Sequence, residues 1–155
     1  MGAGKTTLLN KIKKTNILFG YSYYDLDSEI AKDNDTSDQK LGELIKTKGM
    51  EWFRSEEKRI LLEILKEKNI VIALGGGTLN QEIVDILASY KDLKGFWLST
   101  DFDECYVRIA QDENRPLAQM SKRELLDLYS ERENYYKTYE RIDAKSIFDR
   151  LNLSF

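Results

Sequence analysis

The sequence predicts an α/β fold in which helices cover both faces of a doubly wound parallel sheet. Two short apolar segments, at 69–74 and 95–98, show no polar alternation, which indicates strands that are buried on both faces. A helical pattern at 50–68 precedes the first segment, one at 80–90 lies between the two segments, and one at 101–112 follows the second. Buried strands that alternate with helices are typical of a parallel sheet with helical crossovers.

The elements of the first half follow a glycine-rich start. Over residues 6–15, Leu8 and Ile12 stand at helical spacing with lysines on the other positions, which predicts an amphipathic helix. The aromatic segment 21–26 predicts a strand that ends at the aspartates beside Leu26. Residues 28–48 are polar, and we expect them to be helical in part.

The second half carries the clearer helical patterns. Over residues 50–68 the apolar positions repeat at helical spacing, and residues 122–138 are also predicted to form a helix. Between them, the segment 115–121 contains the one proline of the chain and is predicted to be a loop. A last strand is expected within residues 139–144.

The composition fits one domain and limits its chemistry. The chain has 155 residues, a net charge of −3, no histidine and one cysteine, Cys105. Without histidine, imidazole acid–base catalysis and histidine metal ligands are excluded. The acidic balance argues against nucleic-acid and membrane partners, which usually require a basic face. Because no long apolar segment is present either, we expect a cytoplasmic protein.

The segment Gly2-Ala3-Gly4-Lys5-Thr6-Thr7 has the pattern of the second half of a phosphate-binding loop. Its glycines allow backbone N–H groups to approach phosphate oxygens, Lys5 would reach the β- and γ-phosphates, and the Thr6 hydroxyl would help to hold Mg²⁺. The six residues predicted to bind ATP are therefore Gly2, Ala3, Gly4, Lys5, Thr6 and Thr7. The alternative is a flexible N-terminal tail.

Asp25 and Asp27 stand two positions apart at the predicted end of a strand. Side chains at this spacing on a strand project to the same side. One carboxylate can bind Mg²⁺ through water while the other accepts a hydrogen bond from an acceptor hydroxyl. The alternative is an aspartate turn in which Asp27 or Ser28 caps the next helix.

Two further segments indicate contacts with a ligand. Arg54 and Glu57 lie one helical turn apart, so Glu57 can hold an arginine that binds a carboxylate, although such pairs are commonly solvated surface charges. The glycines Gly75-Gly76-Gly77 exceed what a tight turn needs, which suggests backbone lying against a ligand at the end of a strand.

Three more arginines are candidates with weaker local signals. Arg115 precedes the proline in a segment that can serve as a lid, where it would neutralise charge on the transferring phosphoryl group. Arg108 can lie over an adenine ring. Arg132 and Tyr136, four positions apart, would ordinarily form one face of an amphipathic helix.

In this order, these segments resemble the shikimate kinase family. Its members show a phosphate-binding loop, then D-x-D, F-R-x-x-E, a triple glycine, R-P-L in a lid and an R-x-x-x-Y helix. The corresponding segments here are MGAGKT at 1–6, DLD at 25–27, FRSEE at 53–57, GGG at 75–77, RPLA at 115–118 and RENYY at 132–136. The resemblance covers nearly the whole chain.

The resemblance implies a P-loop NTPase fold of the nucleoside-monophosphate-kinase type, with a five-stranded parallel sheet. It implies one domain over residues 1–155, with a substrate-binding region near 28–57 and a lid near 109–122. The implied reaction is MgATP-dependent phosphorylation of the 3-hydroxyl of shikimate, and a monomer is expected. Two alternatives stay open, namely another kinase of this fold, such as a gluconate or nucleoside kinase, and a non-catalytic relative that has kept the pocket.

The resemblance also implies roles by position. Thr6 and Asp25 would hold the metal, and Asp27 would orient and deprotonate the acceptor hydroxyl. Lys5 and Arg115 would assist catalysis at the phosphates, and Arg108 would lie at the adenine. The residues implied to bind shikimate are Asp27, Arg54, Gly75, Gly76, Gly77 and Arg132.

Met1 falls where the family's phosphate-binding loop has a methionine. The strand and the first glycine that precede such a loop are not in this sequence. We therefore expect the natural protein to begin about ten or more residues earlier, with a strand of ordinary length at the centre of the sheet.

Overall fold

The computed structural model of the protein describes residues 2–111 and 116–152. Its elements, in chain order, are α1 Lys5–Thr15, β1 Ser22–Asp25, α2 Leu26–Asp33, α3 Asp38–Lys48, α4 Met50–Ile64, β2 Ile70–Ala73, α5 Gln81–Ala88, β3 Phe96–Leu98, α6 Phe102–Ala110, a 3-10 helix Pro116–Gln119, α7 Lys122–Tyr136, β4 Glu140–Ile142 and α8 Ser146–Asn152. The predicted helices and strands are present in the predicted order. The sequence did not predict α8 or the 3-10 helix. Over the described ranges, no helix has the length and apolar character to cross a membrane.

The strands form two separate parallel pairs. β1 pairs with β2, which places Asp25 beside Ala73. β3 pairs with β4, which places Leu98 beside Ile142. These are the four strands that the sequence predicts, and the described residues contain no strand that joins one pair to the other. Parallel pairing throughout agrees with the predicted doubly wound α/β fold.

The apolar strands β2 and β3 are half-buried, whereas the sequence predicts burial on both faces. Among the described residues, each of these strands has a hydrogen-bonded neighbour on one edge only. The apolar run identified the strands correctly, but the degree of burial was predicted wrongly because it depends on neighbours that the local pattern does not contain.

Two apolar clusters hold the elements together. The first contains Leu26 and Ile30 from α2 and Leu61 from α4, all fully buried. The second packs Leu8 and Ile12 of α1 against residues of both strand pairs. α1 thus lies across the two pairs, and its first residues are held at a defined place relative to the ends of the strands.

β1 ends at Asp25, and the chain turns directly into α2. Oδ1 of Asp25 accepts a hydrogen bond from the backbone N–H of Asp27 at 3.2 Å, so Asp25 is the N-cap of α2. Asp27 consequently lies in the first turn of α2 and not on the strand, contrary to the prediction. The alternative in which Asp27 or Ser28 caps this helix is also wrong.

Candidate active site

The loop before α1 has a backbone conformation that glycine allows. Gly2 and Gly4 have φ values of 58° and 83°, in the left-handed region. A Cβ atom placed on Gly2 would lie 2.8 Å from the backbone oxygen of Cys105, so the loop lies directly against α6. Gly4 is the N-cap of α1 and Lys5 its first residue. The N-terminal end of a helix, with its unbonded N–H groups, favours a bound phosphate.

Two side chains hold the carbonyl groups of this loop. Nη1 of Arg108 donates to the oxygen of Gly2 at 2.9 Å, and Nη2 of Arg108 donates to Glu104 at 3.1 Å. The hydroxyl of Thr100, just after β3, donates to the oxygen of Ala3 at 3.1 Å. Arg108 therefore lies beside the phosphate-binding loop, whereas no sequence motif pointed to Thr100.

Thr6 and Asp25, the two predicted metal-binding residues, are adjacent in the structure. The Thr6 hydroxyl donates to Oδ2 of Asp25 at 2.5 Å. A hydroxyl and a carboxylate are the oxygen ligands that Mg²⁺ prefers. No group of three or more acidic or cysteine residues within 2–111 and 116–152 can hold a metal by itself. A magnesium ion at this place would therefore need phosphate oxygens or water as further ligands.

The second part of the site contains a buried carboxylate, that of Glu57. Glu57 is 2% exposed, and Nη1 of Arg54 donates to its Oε2. Its Oε1 accepts a hydrogen bond of 2.5 Å from the hydroxyl of Thr78, which is also 2% exposed. Both oxygens of this buried acid are thus hydrogen-bonded, as a charge removed from water requires. Glu57 holds Arg54 as the sequence predicts, and Thr78 is a residue that the sequence analysis missed.

The triple glycine forms a turn after β2. The backbone N–H of Thr78 donates to the oxygen of Gly75 at 3.3 Å. A Cβ atom on Gly75 would lie 2.9 Å from a carboxylate oxygen of Asp27 and 2.9 Å from one of Glu57. Any side chain at Gly75 would therefore displace these groups. The same distances place Asp27 against the turn, although it comes from a helix.

Arg54 and Arg132 converge on this turn from α4 and α7. A Cβ atom on Gly77 would lie 2.5 Å from Nη2 of Arg54 and 2.6 Å from Nη2 of Arg132. Glu57 forms an ion pair with Arg54, and no carboxylate in the described parts of the chain forms one with Arg132. Burial, together with the charge of Arg54, lowers the pKa of Arg132 from its usual value. Glu57 forms its ion pair with Arg54, so the guanidinium group of Arg132 is not matched by it, and guanidinium groups of this kind suit a ligand that carries a carboxylate.

Tyr136 connects α7 to the same turn. Its hydroxyl donates to the oxygen of Gly76 at 2.5 Å. Its ring lies 5.9 Å from that of Trp97, measured between the ring centroids. Burial raises the pKa of Tyr136, which favours the protonated hydroxyl that the bond to Gly76 needs. The helix that carries Arg132 is therefore held against the triple glycine.

The structure brings the predicted residues into two groups. The first group, called the nucleotide side after the ligand that the sequence predicts for it, contains Gly2, Ala3, Gly4, Lys5, Thr6, Thr7, Asp25 and Arg108. The second group, called the acceptor side after the substrate that the sequence predicts for it, contains Asp27, Arg54, Gly75, Gly76, Gly77 and Arg132. Arg115 lies outside the described residues, as does part of the predicted lid.

Both groups lie where β1 and β2 end and helices begin, which is the edge at which parallel α/β sheets bind ligands. An anion-binding loop on one side and paired arginines on the other can hold two anionic ligands between them.

These features define the class as an ATP-dependent phosphotransferase with a P-loop NTPase fold. A family model described as shikimate kinase matches residues 1–149. The chain belongs to the shikimate kinase family.

Individual relatives agree with this assignment. The shikimate kinase of Nitrosospira multiformis is 32% identical over 94% of this chain and 72% of its own length. That of Chromobacterium violaceum is 29% identical over 99% of this chain and 80% of its own length. The solved structure of shikimate kinase from Acinetobacter baumannii in complex with shikimate superposes with a TM-score of 0.80 at 25% identity, over 97% of this chain and 86% of that one.

Proposed function

We propose that this chain transfers the γ-phosphoryl group of MgATP to the 3-hydroxyl of shikimate. The observation that carries the proposal is the convergence of Arg54 and Arg132 at Gly77, on a turn that also contacts Asp27. Arg54 pairs with Glu57, whereas Arg132 forms no ion pair with a carboxylate of the described residues, and two such guanidinium groups suit a substrate that brings a carboxylate of its own. This preference favours shikimate kinase activity, which is the activity named for the family.

On the acceptor side, Nη2 of Arg54 and Nη2 of Arg132 bind the substrate carboxylate. The backbone of Gly76 and Gly77 lies against the ring, with no side chain between. Asp27, at the entrance of α2, accepts a hydrogen bond from the 3-hydroxyl and takes its proton.

On the nucleotide side, the N–H groups of residues 2–7 and the ammonium of Lys5 bind the phosphates. Thr6 and Asp25 hold Mg²⁺, which when bound neutralises negative charge on the phosphate oxygens. Arg108, which lies beside the loop, is the residue proposed to contact the adenine end of the nucleotide. Arg115, which lies outside the described residues, remains predicted to act at the phosphates from the lid near 109–122.

The acceptor oxygen forms a bond to the γ-phosphorus as the bond from that phosphorus to ADP breaks, and the hydroxyl proton passes to Asp27. The transition state of phosphoryl transfer is loose, so positioning and charge neutralisation contribute more than a strong base. A protein without histidine can therefore perform it with a carboxylate and a few cations.

The remaining expectations belong to the same proposal. Residues 1–155 act as one domain, with the acceptor bound by the region near 28–57 together with the triple glycine and α7. A monomeric state, a cytoplasmic location and the absence of nucleic-acid or membrane partners remain predictions, and sedimentation of the purified protein tests the first of them.

The experiment that tests the proposal measures ADP release from MgATP with shikimate, with gluconate and with no acceptor. We expect turnover that depends on shikimate and is lost in Lys5→Ala, because Lys5 binds the phosphates. Turnover with gluconate alone would favour the related kinase activity. Binding of shikimate and ADP by a well-folded chain without turnover would favour a non-catalytic relative.

A further inference from the structure

Thr78 is a buried hydroxyl at the acceptor side that has no role in the mechanism above. Its backbone N–H closes the glycine turn on Gly75. Its hydroxyl donates to Oε1 of Glu57 at 2.5 Å, across 21 positions of sequence. The residue is thus fixed at both its backbone and its side chain, and it joins the glycine turn to the acid that holds Arg54.

The two carboxylate oxygens of Glu57 have different hydrogen-bond partners, and only one of these oxygens binds Arg54. Oε2 accepts from Nη1 of Arg54, while Oε1 is occupied by Thr78. The other terminal nitrogen of Arg54, Nη2, lies at Gly77 beside Arg132. One guanidinium nitrogen therefore binds Glu57, and the other lies at Gly77, where the acceptor is proposed to bind.

Carboxylates readily accept two parallel hydrogen bonds from one guanidinium group. If Oε1 lost the Thr78 hydroxyl, a buried oxygen would be left without a hydrogen bond, which is unfavourable. The carboxylate would then turn to take both terminal nitrogens of Arg54. Nη2 would move from Gly77 toward Glu57, and the acceptor would lose one of its two charged donors.

We propose that Thr78 is a positioning residue for the acceptor site, whose hydroxyl keeps Glu57 from binding Arg54 through both nitrogens. The inference rests on the proposed function, because it assumes that Nη2 of Arg54 binds the carboxylate of the substrate. It assigns to Thr78 a specific effect on the binding of shikimate and none on the binding of MgATP.

The test compares Thr78→Val, which keeps the shape and removes the hydroxyl, with Thr78→Ser, which keeps the hydroxyl. We expect Thr78→Val to raise the Kd and the KM for shikimate about tenfold, the scale of one charge-assisted hydrogen bond, with the KM for MgATP unchanged. Thr78→Ser is expected to stay within about twofold of wild type. Thr15→Val makes the same change at the exposed end of α1 and serves as the matched control.

The methyl ester of shikimate tests whether the effect passes through the carboxylate. It lacks the negative charge that Arg54 binds, so Thr78→Val is expected to bind the ester as well as wild type does. An equal loss for acid and ester would overturn the proposal. So would wild-type shikimate affinity in Thr78→Val, or an equal loss in the serine and valine variants.

Failure of this inference is separable from failure of the proposed function. If wild type does not bind shikimate in calorimetry, the proposed function is rejected and this inference with it. If wild type binds and Thr78→Val binds equally, only the role of Thr78 is rejected. Should Thr78→Val not fold, Thr78→Cys provides the same comparison, since a thiol is a weak donor, with a loss for the acid and none for the ester as the required result.

Discussion

The hydroxyl of Thr6 donates a 2.5 Å hydrogen bond to Oδ2 of Asp25, although 19 positions separate the two residues. The other oxygen of Asp25 caps α2. One carboxylate therefore serves the nucleotide side through one oxygen and the fold through the other. The charge of Asp25 can therefore be tested separately from its role as the N-cap of α2.

Asp25→Asn is expected to weaken metal binding while preserving the fold. Asparagine caps helices about as well as aspartate, so the free energy of unfolding should change by less than about 1 kcal/mol. Loss of the charge should raise the Mg²⁺ concentration for half-maximal ADP release about tenfold or more. Titration of Mg²⁺ at fixed ATP measures this, with the shikimate Kd in the absence of nucleotide as the internal control. An unchanged Mg²⁺ requirement would remove Asp25 from the metal site.

Arg132→Met is expected to stabilise the protein and abolish acceptor binding. The guanidinium of Arg132 is half-buried beside Arg54, and no carboxylate of the described residues pairs with it. Replacing such a charge by an apolar side chain should raise the free energy of unfolding by about 0.5–1 kcal/mol. For a chain of this size, the Tm should rise by about 1–4 °C.

Thermal unfolding with and without shikimate checks both effects. Wild type at a hundredfold excess over the Kd gains about 2.7 kcal/mol from the ligand, and Arg132→Met should gain none. Arg123→Met, on an exposed position of the same helix, should leave the ligand effect intact. A lower Tm for Arg132→Met would mean that Arg132 stabilises the fold.

Gly77→Ala is expected to impair the acceptor site more than the fold. The atoms that a methyl group would meet are the ends of the Arg54 and Arg132 side chains, which can move. We expect a stability loss below about 1 kcal/mol, because a glycine with ordinary φ accepts alanine. The displaced guanidinium groups should raise the KM for shikimate about tenfold, as expected when charged hydrogen bonds are lost.

Gly20→Ala is the control variant, because it is expected to reduce the stability of the fold and to leave shikimate binding unchanged. Gly20 has a φ of 78° with open space around it, so alanine there brings backbone strain and no collision. We expect about 1 kcal/mol of lost stability and an unchanged KM for shikimate. If both variants reduced stability and shikimate affinity together, the convergence of the arginines at Gly77 would not explain the result.

Tyr136→Phe is expected to remove part of the loss of stability in alkali. Burial raises the pKa of Tyr136 above its ordinary 10.0, so the folded state keeps a proton that the unfolded state releases. The contribution of the hydroxyl is therefore complete below about pH 10 and declines as the pH rises above it. Wild type should exceed Tyr136→Phe by about 1 kcal/mol at pH 8, the scale of one hydrogen bond.

Urea unfolding at pH 8, 10 and 11 measures this difference, which should shrink at the highest pH. Tyr90→Phe, which makes the same change on an exposed side chain, is the matched substitution. A difference between wild type and Tyr136→Phe that stays constant up to pH 11 would show that the hydroxyl of Tyr136 loses its proton equally in both states.

Much of the fold followed from local patterns, and the exceptions have identifiable causes. The spacing of apolar residues located α1 and α4, and the unbroken apolar runs located β2 and β3. The half-buried state of these strands depends on the elements packed around them, which an apolar run does not describe. The entry of Asp27 into a helix depends on the capping bond of Asp25, and either carboxylate of the pair could have formed that bond.

The sequence alone determined which elements form and which residue types are available for chemistry, because helical and strand periodicity and the needs of a phosphate-binding loop act over a few neighbouring residues. Only the tertiary structure decided which of these residues meet. The contacts of Thr6 with Asp25, Thr78 with Glu57 and Tyr136 with Gly76 span 19, 21 and 60 positions. Such contacts depend on how α1, α4 and α7 pack around the strand ends, and a lone threonine such as Thr78 carries no local pattern that would reveal its partner.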